Sequence, residues 1–522
     1  MTSPSRRSLL RASISGGLTA AGLALGGSRS PAYAAGRTDY QAIVVGSGFG
    51  GAVSALRLGE AGVDTLVLER GREWPVDPHN AVFGSQHAYS NKMFWFRRRG
   101  QWPGVAPFPM EPYPGVMEVS HEQNLDIACG AGLGGGSLVY TCVTVAPPRK
   151  YFRRLFPAGI SYDDMTSRWY PKVRSVLRHS RMPADVYNSA PFTHSRVWDQ
   201  HVRKAGYRPQ SLESTFNWDV VRAELAGTVR PSAIAGETDF GCSDGAKNSL
   251  TVNYIPAAEA TRHVRFQTLS DVQSISRTKR GRYTLAVRHL DPQGRTVDVV
   301  EYTCERLFLC AGTLHTNRLL VAARDTGALA DLDACVGTGF GDNGDQYVGY
   351  AYAGPAGPSQ GAPSASTVFV DGDFELPVRA ENWQLIQAQG LPIAVSLVMT
   401  ADLDHRGTFR YDTLTRQVRL SDWAGNATAA ANSANDFITK VIENNPEAVP
   451  LAVEWPFTMT AHPLGGCVLG TASDLYGRVK GYRGLYAIDG SMIPGNIGGA
   501  NPAFTIAALA ERNIADIVAK SG

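Results

Sequence analysis

Hydrophobic patterning becomes regular near residue 40. Tyr40 to Val45 is a short apolar run with β-branched residues, Ala52 to Ala61 repeats apolar positions at helical spacing, and Thr65 to Leu68 is a second short run that ends in Glu69. The pattern predicts strand, turn, helix and strand in about thirty residues, the organisation of a βαβ unit. Thr268 to Ile275 reads as a further strand, and Leu485 to Ile488 as a strand end that hands over to Asp489-Gly490. Residues 353–366, rich in Gly, Pro, Ser and Ala, read as a surface loop, and residues 424–435 as the start of a helix. No internal repeat is apparent, and no clean linker separates independent domains.

The turn after the first run is Gly46-Ser47-Gly48-Phe49-Gly50-Gly51. Each glycine of the G-x-G-x-x-G spacing serves a separate purpose. Gly46 permits the tight turn, Gly48 lets the backbone approach a pyrophosphate, and Gly51 lets helix and strand pack closely. The helix start offers free N–H groups and a positive dipole end to phosphate. Glu69 is placed to accept hydrogen bonds from a ribose diol. The motif in this context predicts a dinucleotide site, and these residues alone leave FAD and NAD both open. A second glycine cluster, Gly130 to Gly136 followed by Ser137 and apolar Leu138-Val139, suits close backbone approach to a large planar ligand.

The first 35 residues do not read as part of the fold. Ser5-Arg6-Arg7-Ser8-Leu9-Leu10 is a twin-arginine start, residues 13–27 are a small-residue apolar stretch too short to span a membrane stably, and Ala32-Tyr33-Ala34 is a cleavage signal. The expectation is export and cleavage near Ala34, giving a secreted protein whose tightly held cofactor is inserted before transport.

Composition narrows the class further. Hydrophobic residues make up 43% and charged residues 19% of 522, which excludes extensive disorder. Lys plus Arg number 50 against 47 Asp plus Glu, a balance that does not suit a nucleic-acid binder. The seven cysteines, Cys129, Cys142, Cys242, Cys304, Cys310, Cys335 and Cys467, form no C-x-x-C pair and no zinc-type set with His, so no structural metal is expected. At least one must be unpaired, and most are expected to be small buried residues.

Taken together, GSGFGGAVSALRLGEAG, GLGGGSLV, GCSDGAKNSL, ERLFLCAGTLHTNRLL, HPLGGCVLG, YGRV, LYAIDGSMIPG and NPAFTIAALAERN are spread collinearly from residue 46 to 513. In these stretches the chain resembles the glucose-methanol-choline oxidoreductases, and within them the bacterial cholesterol oxidases that hold FAD non-covalently. The resemblance implies an α/β and α+β composite: a Rossmann-like FAD-binding domain, discontinuous over 38–73, 248–340 and 478–522, beside a substrate domain built on an antiparallel sheet over 74–247 and 341–477. It implies FAD contacts at Phe49, Gly50, Glu69, Gly136, Val272, Gly490 and Asn501, with Val272 meeting adenine through its backbone and Asp489-Gly490 at the ribityl-pyrophosphate region. It also implies a catalytic pair, His462 and Asn501. A near-neutral imidazole can take or orient the alcohol proton, and the Asn501 amide, its backbone restricted by Pro502, can hydrogen-bond the substrate oxygen.

Three departures bear on the substrate. The glycine loop continues as Tyr140-Thr141-Cys142-Val143, where the sterol enzymes carry Asn-Gly-Gly-Met, so Tyr140 and Val143 make a bulkier wall whose hydroxyl either replaces the lost amide or fills volume. The position of the glutamate that shifts a double bond in those enzymes falls at Pro392, leaving Glu381 as the nearest carboxylate of similar context, at the cost of an insertion of about ten residues; otherwise Glu381 is a solvated loop acid. Gly498-Gly499-Ala500 carries an extra residue before Asn501, and Ala503 stands where an aromatic is usual, a loss that either widens the pocket or is compensated by Phe504. The leading expectation is a secreted FAD-dependent alcohol oxidase acting on a 3β-hydroxysteroid such as cholesterol, with O2 reduced to H2O2. Oxidation of long-chain or bulky primary alcohols, by an oxidase or a dehydrogenase, is the alternative within the class, and a non-catalytic flavin or electron-transfer protein the alternative outside it. Met93 to Arg99 is expected either to touch a lipid surface transiently or to be a partly buried loop with a solvated basic end.

Overall fold

A computed structural model describes residues 37–520, apart from 86–87, 103–104, 386–387, 389 and 452–457. The twin-arginine stretch and the Ala34 cleavage point lie outside the described residues. Strand Asp39–Val45 runs into helix Phe49–Glu60 and returns as strand Thr65–Leu68, parallel to the first. Alternate residues of the first strand serve two different cores. Ala42 and Val44 pack with Leu56 and Ala508, while Ile43 and Val45 pack with Leu314 and Leu320. This explains why the run is apolar without interruption: a central parallel strand is covered on both faces.

The strand is one of seven. The order is Val264–Gln267, Thr65–Leu68, Asp39–Val45, Thr296–Leu309, Tyr283–Leu290 and Ser270–Arg277, with Leu485–Ala487 pairing the far end of Thr296–Leu309. The 14-residue strand Thr296–Leu309 belongs to two patterns. Its second half pairs in parallel with 39–45 and 485–487, and its first half antiparallel with 283–290. Segments more than 200 residues apart therefore build one sheet, with helices Phe49–Glu60 and Pro502–Ala519 packed on one face and helix Gly312–Asp325 on the other.

A second sheet of six strands is antiparallel throughout, in the order 448–450, 345–352, 393–400, 378–383, 366–370 and 210–211. One face packs Tyr350, Val368, Ala380 and Val398 against Trp198 and Phe437 of helices Thr193–Lys204 and Thr428–Glu443. With a side-chain period of two, Asp345, Tyr347, Arg379, Glu381, Trp383 and Leu397 face the other way. The architecture is the Rossmann-like domain and antiparallel substrate sheet implied by the sequence.

Several local expectations change. Residues 360–366 are buried and lead into strand Ser366–Val370, so only the first half of the 353–366 segment is surface loop. The 424–435 stretch does open a helix, beginning at Thr428. Met93 and Phe94 are fully buried, Trp95 and Phe96 are half-buried, and Arg98 and Arg99 are exposed, so the segment is a partly buried loop with a solvated basic end. All seven cysteines are free thiols, and only Cys129 and Cys335 are less than buried.

Candidate active site

Two glycine turns meet back to back at the carboxyl ends of the parallel strands. Gly46 adopts φ +95, and a Cβ there would fall 2.3 Å from the Cys310 carbonyl oxygen, so both conformation and space demand glycine. A Cβ on Gly51 would fall 2.0 Å from the Gly46 oxygen; this residue seats the helix on the strand and does not line the cavity. A Cβ on Gly50 would fall 1.6 Å from the Ile488 oxygen. Gly48 is different, because a Cβ there would meet nothing nearer than Gly135 Cα at 4.0 Å. Its open side faces the space between the turns. Ser47 ties them together, donating to Glu69 Oε2 at 2.6 Å and accepting from Gly134 N–H at 2.9 Å.

One cavity of about 500 Å³ is lined at once by Gly46, Gly48, Phe49, Gly50, Glu69, Gly136, Tyr140, Val143, Val272, Asp489, Gly490, His462, Asn501 and Ala503. Glu69 is buried, and burial raises its pKa against hydrogen bonds from Ser47 and Gly71. Asp489 is occupied structurally: it accepts from Gly312 N–H, Thr316 Oγ1 and Ser491, joining a helix start to the strand end. Trp95, Met117, Tyr347, Trp383, Leu397 and Met459 add apolar wall, and Arg70, Glu118, Asp239, Asp271, His315 and Arg318 add charged or titratable groups.

His462, Asn501 and Glu381 come together at one end. Asn501 sits in extended backbone just before helix Pro502–Ala519, as the following proline requires. Its Nδ2 lies 3.4 Å from Glu381 Oε2, while Asn501 Oδ1 and Glu381 Oε1 are buried without a partner. Burial pushes the Glu381 carboxyl up to about 7, with Arg379 partly offsetting it. Glu381 is thus no solvated loop acid but a fully buried residue of strand Val378–Trp383. Pro392 lies outside the cavity lining and uses its carbonyl to accept from Tyr352 N–H at 2.9 Å. His462 lies in the link between strands Thr458–Thr460 and Leu464–Gly466, with Nδ1 2.8 Å from Asp345 Oδ1. Burial disfavours its charged form, but the Asp345 carboxylate holds its pKa above the usual imidazole value.

Sequence reasoning missed Asp345, Trp383 and Tyr347. A usable signal existed in Arg379 and Glu381, which alternate with Val378 and Ala380: charges at every second position beside apolar neighbours mark a face turned to a polar site. Tyr140 lines the cavity but spends its hydroxyl on Thr215 Oγ1 at 2.6 Å, with its ring edge-on to Phe49. Phe504 does not compensate for Ala503, since it packs against Tyr170 and His179.

A Rossmann turn, a second glycine turn facing it and a His–Asn pair in the same cavity define a dinucleotide-dependent oxidoreductase. Residues 405–510 match the model of the GMC oxidoreductase family. The chain is 27% identical over 555 residues to a cholesterol oxidase of Mycobacterium tuberculosis, spanning 91% of this chain and 90% of that one. It is 23% identical over 564 residues to a cholesterol oxidase of Acinetobacter baumannii, spanning 92% and 95%. Among solved structures, pyridoxine 4-oxidase from Mesorbium loti shares the fold at a TM-score of 0.63 and 15% identity, over 91% of this chain and 99% of that one. A fungal aryl-alcohol oxidase does so at 0.62 and 14%, over 93% and 100%. The chain thus carries a GMC oxidoreductase match in its C-terminal part and is similar over most of its length to bacterial cholesterol oxidases. That family implies FAD, and the residues present fit it: a paired glycine cradle with open space at Gly48, a buried Glu69, and one cavity of about 500 Å³ that both reach.

Proposed function

We propose that this protein is an FAD-dependent alcohol oxidase whose substrate is a 3β-hydroxysteroid, converted to the ketone as O2 is reduced to H2O2. The observation that carries the reading is the end of the cavity lined by His462 and Asn501, where buried Asn501 Oδ1 has no partner and the buried Glu381, also with an unpartnered oxygen, lies directly behind Asn501. Gly48 to Gly50, Glu69, Gly136, Val272 and Gly490 would hold the cofactor without a covalent link. The flavin, when bound, accepts hydride and delivers two electrons to oxygen.

The protein's own part is positioning and proton handling. The substrate hydroxyl donates to His462, which takes the proton as the carbon–oxygen double bond forms, and Asn501 fixes the oxygen. Trp95, Tyr347, Trp383 and Met459 exclude water and accept an apolar body. Glu381, near neutrality in its titration, has the poise to carry a proton between two carbons of a β,γ-unsaturated ketone, so isomerisation to the conjugated enone belongs to the proposal. The similarity to cholesterol oxidases supports the sterol over other alcohols.

The test is a peroxide-coupled assay of the yellow, purified protein with cholesterol and a long-chain primary alcohol side by side, with ultraviolet detection of enone. Peroxide and enone from cholesterol are expected. Turnover of the primary alcohol alone would replace the sterol reading with the alternative. Export through the twin-arginine signal is also proposed, and the mass of the mature protein from culture medium, corresponding to a cut near Ala34, checks it.

A further inference from the structure

Proton acceptance by His462 requires one bare ring nitrogen, and an imidazole carries its single proton on either of two. The surroundings of the ring decide which. Asp345, the first residue of strand Asp345–Tyr352, is completely buried with Oδ1 2.8 Å from His462 Nδ1. Its other oxygen, Oδ2, accepts from Thr460 Oγ1 at 2.9 Å and from Ala461 N–H at 3.2 Å. The His462 N–H itself donates to Thr460 Oγ1 at 2.9 Å, so the backbone that carries the imidazole is tied to the group that orients the carboxylate. A carboxylate oxygen accepts, so in the neutral ring Nδ1 carries the proton and Nε2 is bare.

We propose that Asp345 is the positioning residue of the oxidation, holding His462 in the tautomer whose Nε2 accepts the substrate proton and stabilising the imidazolium that results. The assignment rests on the alcohol-oxidase function proposed for the site. In the step, the O–H bond breaks and its proton passes to Nε2. The O–H electron pair becomes the second carbon–oxygen bond, and the carbon's hydrogen leaves with two electrons to the flavin as oxidant. The other charged groups around the ring do not make this bond. Glu381, two strands away across the sheet, engages Asn501, and Arg379 on the same strand donates to the Gly499 carbonyl. Asp342 in the preceding turn accepts from Gly344 N–H, and Asp402 is held by His405 and lies near Arg406. Tyr347 lines the cavity from the same strand.

The structure also dictates how an amide would fail. In Asp345→Asn the side-chain oxygen must stay with the Ala461 N–H, which can only donate, while the single Thr460 Oγ1 proton is free to go to the Asp342 carbonyl 3.0 Å away. The NH2 then faces His462 Nδ1, which must become the acceptor, and the proton moves to Nε2.

The experiment compares wild type, Asp345→Asn and Asp345→Glu as FAD-loaded proteins. One readout is the 15N resonances of the His462 ring, identified by their loss in His462→Gln; the other is the pH dependence of kcat with the alcohol the wild type oxidises. Expected are an Nδ1–H ring in wild type, an Nε2–H ring in Asp345→Asn with kcat lower by roughly 10³–10⁴-fold, the scale of a tautomer error in acid–base pairs, and recovery of tautomer and most of the rate in Asp345→Glu. An Nδ1–H ring and an unchanged pH profile in Asp345→Asn would overturn the assignment. So would an Nε2–H ring in wild type. If the wild type oxidised no alcohol, the proposed function would fall, while the nitrogen resonances would still decide the role of Asp345.

Discussion

Gly50→Ala offers a sharp test of the cofactor cradle. The new methyl would be placed 1.6 Å from the Ile488 carbonyl oxygen and 2.7 Å from its carbon, both backbone atoms of the strand end that leads to Asp489. Ordinary non-bonded separation is roughly 3.5 Å, so the first turn of helix Phe49–Glu60 must retreat by roughly 2 Å. Overpacking of this kind costs about 1–3 kcal/mol in stability. The larger effect is on binding. The same turn carries the N–H groups that would meet pyrophosphate, and losing two charge-assisted hydrogen bonds costs about 3–6 kcal/mol, a fall in FAD affinity of roughly 10²–10⁴-fold. Gly48→Ala is the matched control, because its methyl meets only Gly135 Cα at 4.0 Å. It should leave the apoprotein as stable as wild type and still weaken FAD, since the methyl enters the space reserved for the ligand. Titration of apoprotein with FAD by flavin fluorescence, with thermal melts of each apoprotein, separates the two. Wild-type Kd and Tm in Gly50→Ala would refute the steric reasoning.

Two further predictions concern buried carboxylates. Glu381 with a pKa of about 7 is protonated below that pH and ionised above it, so enone formation from a β,γ-unsaturated ketone should rise with pH through about 7 and vanish in Glu381→Gln, followed by ultraviolet absorbance; a rate flat from pH 5 to about 9 would remove Glu381 as the base. Glu511 is fully buried between Arg57, which it meets twice at 2.7 Å, Lys172 at 2.9 Å and the Tyr254 hydroxyl at 3.0 Å. Glu511→Ala should destabilise the protein by about 3 kcal/mol, because it leaves Arg57 partly buried with only the exposed Glu60 as partner, and urea unfolding would measure it.

Features that depend on neighbours along the chain were legible in the sequence alone. The 40–69 segment carried its own strand, turn, helix and strand, because glycine spacing and apolar period are local properties, and Gly46, Gly48 and Glu69 stand where that logic put them. His462 and Asn501 were legible through their motifs, although nothing along the chain brings positions 462 and 501 into one cavity. Glu381 was reachable only as the nearest carboxylate to Pro392, because counting along the chain ends at the proline, whereas pairing across the sheet sets Glu381 opposite Leu397, which lines the cavity. Asp345 was invisible: 117 residues separate it from His462, and a carboxylate in a Gly-Asp-Asn-Gly-Asp turn reads as solvent-facing until folding buries it. Which of these charges lost their water was settled by packing in three dimensions; that loss raises the Glu381 pKa and sets buried Asp345 against the His462 ring, on which the proposed chemistry depends.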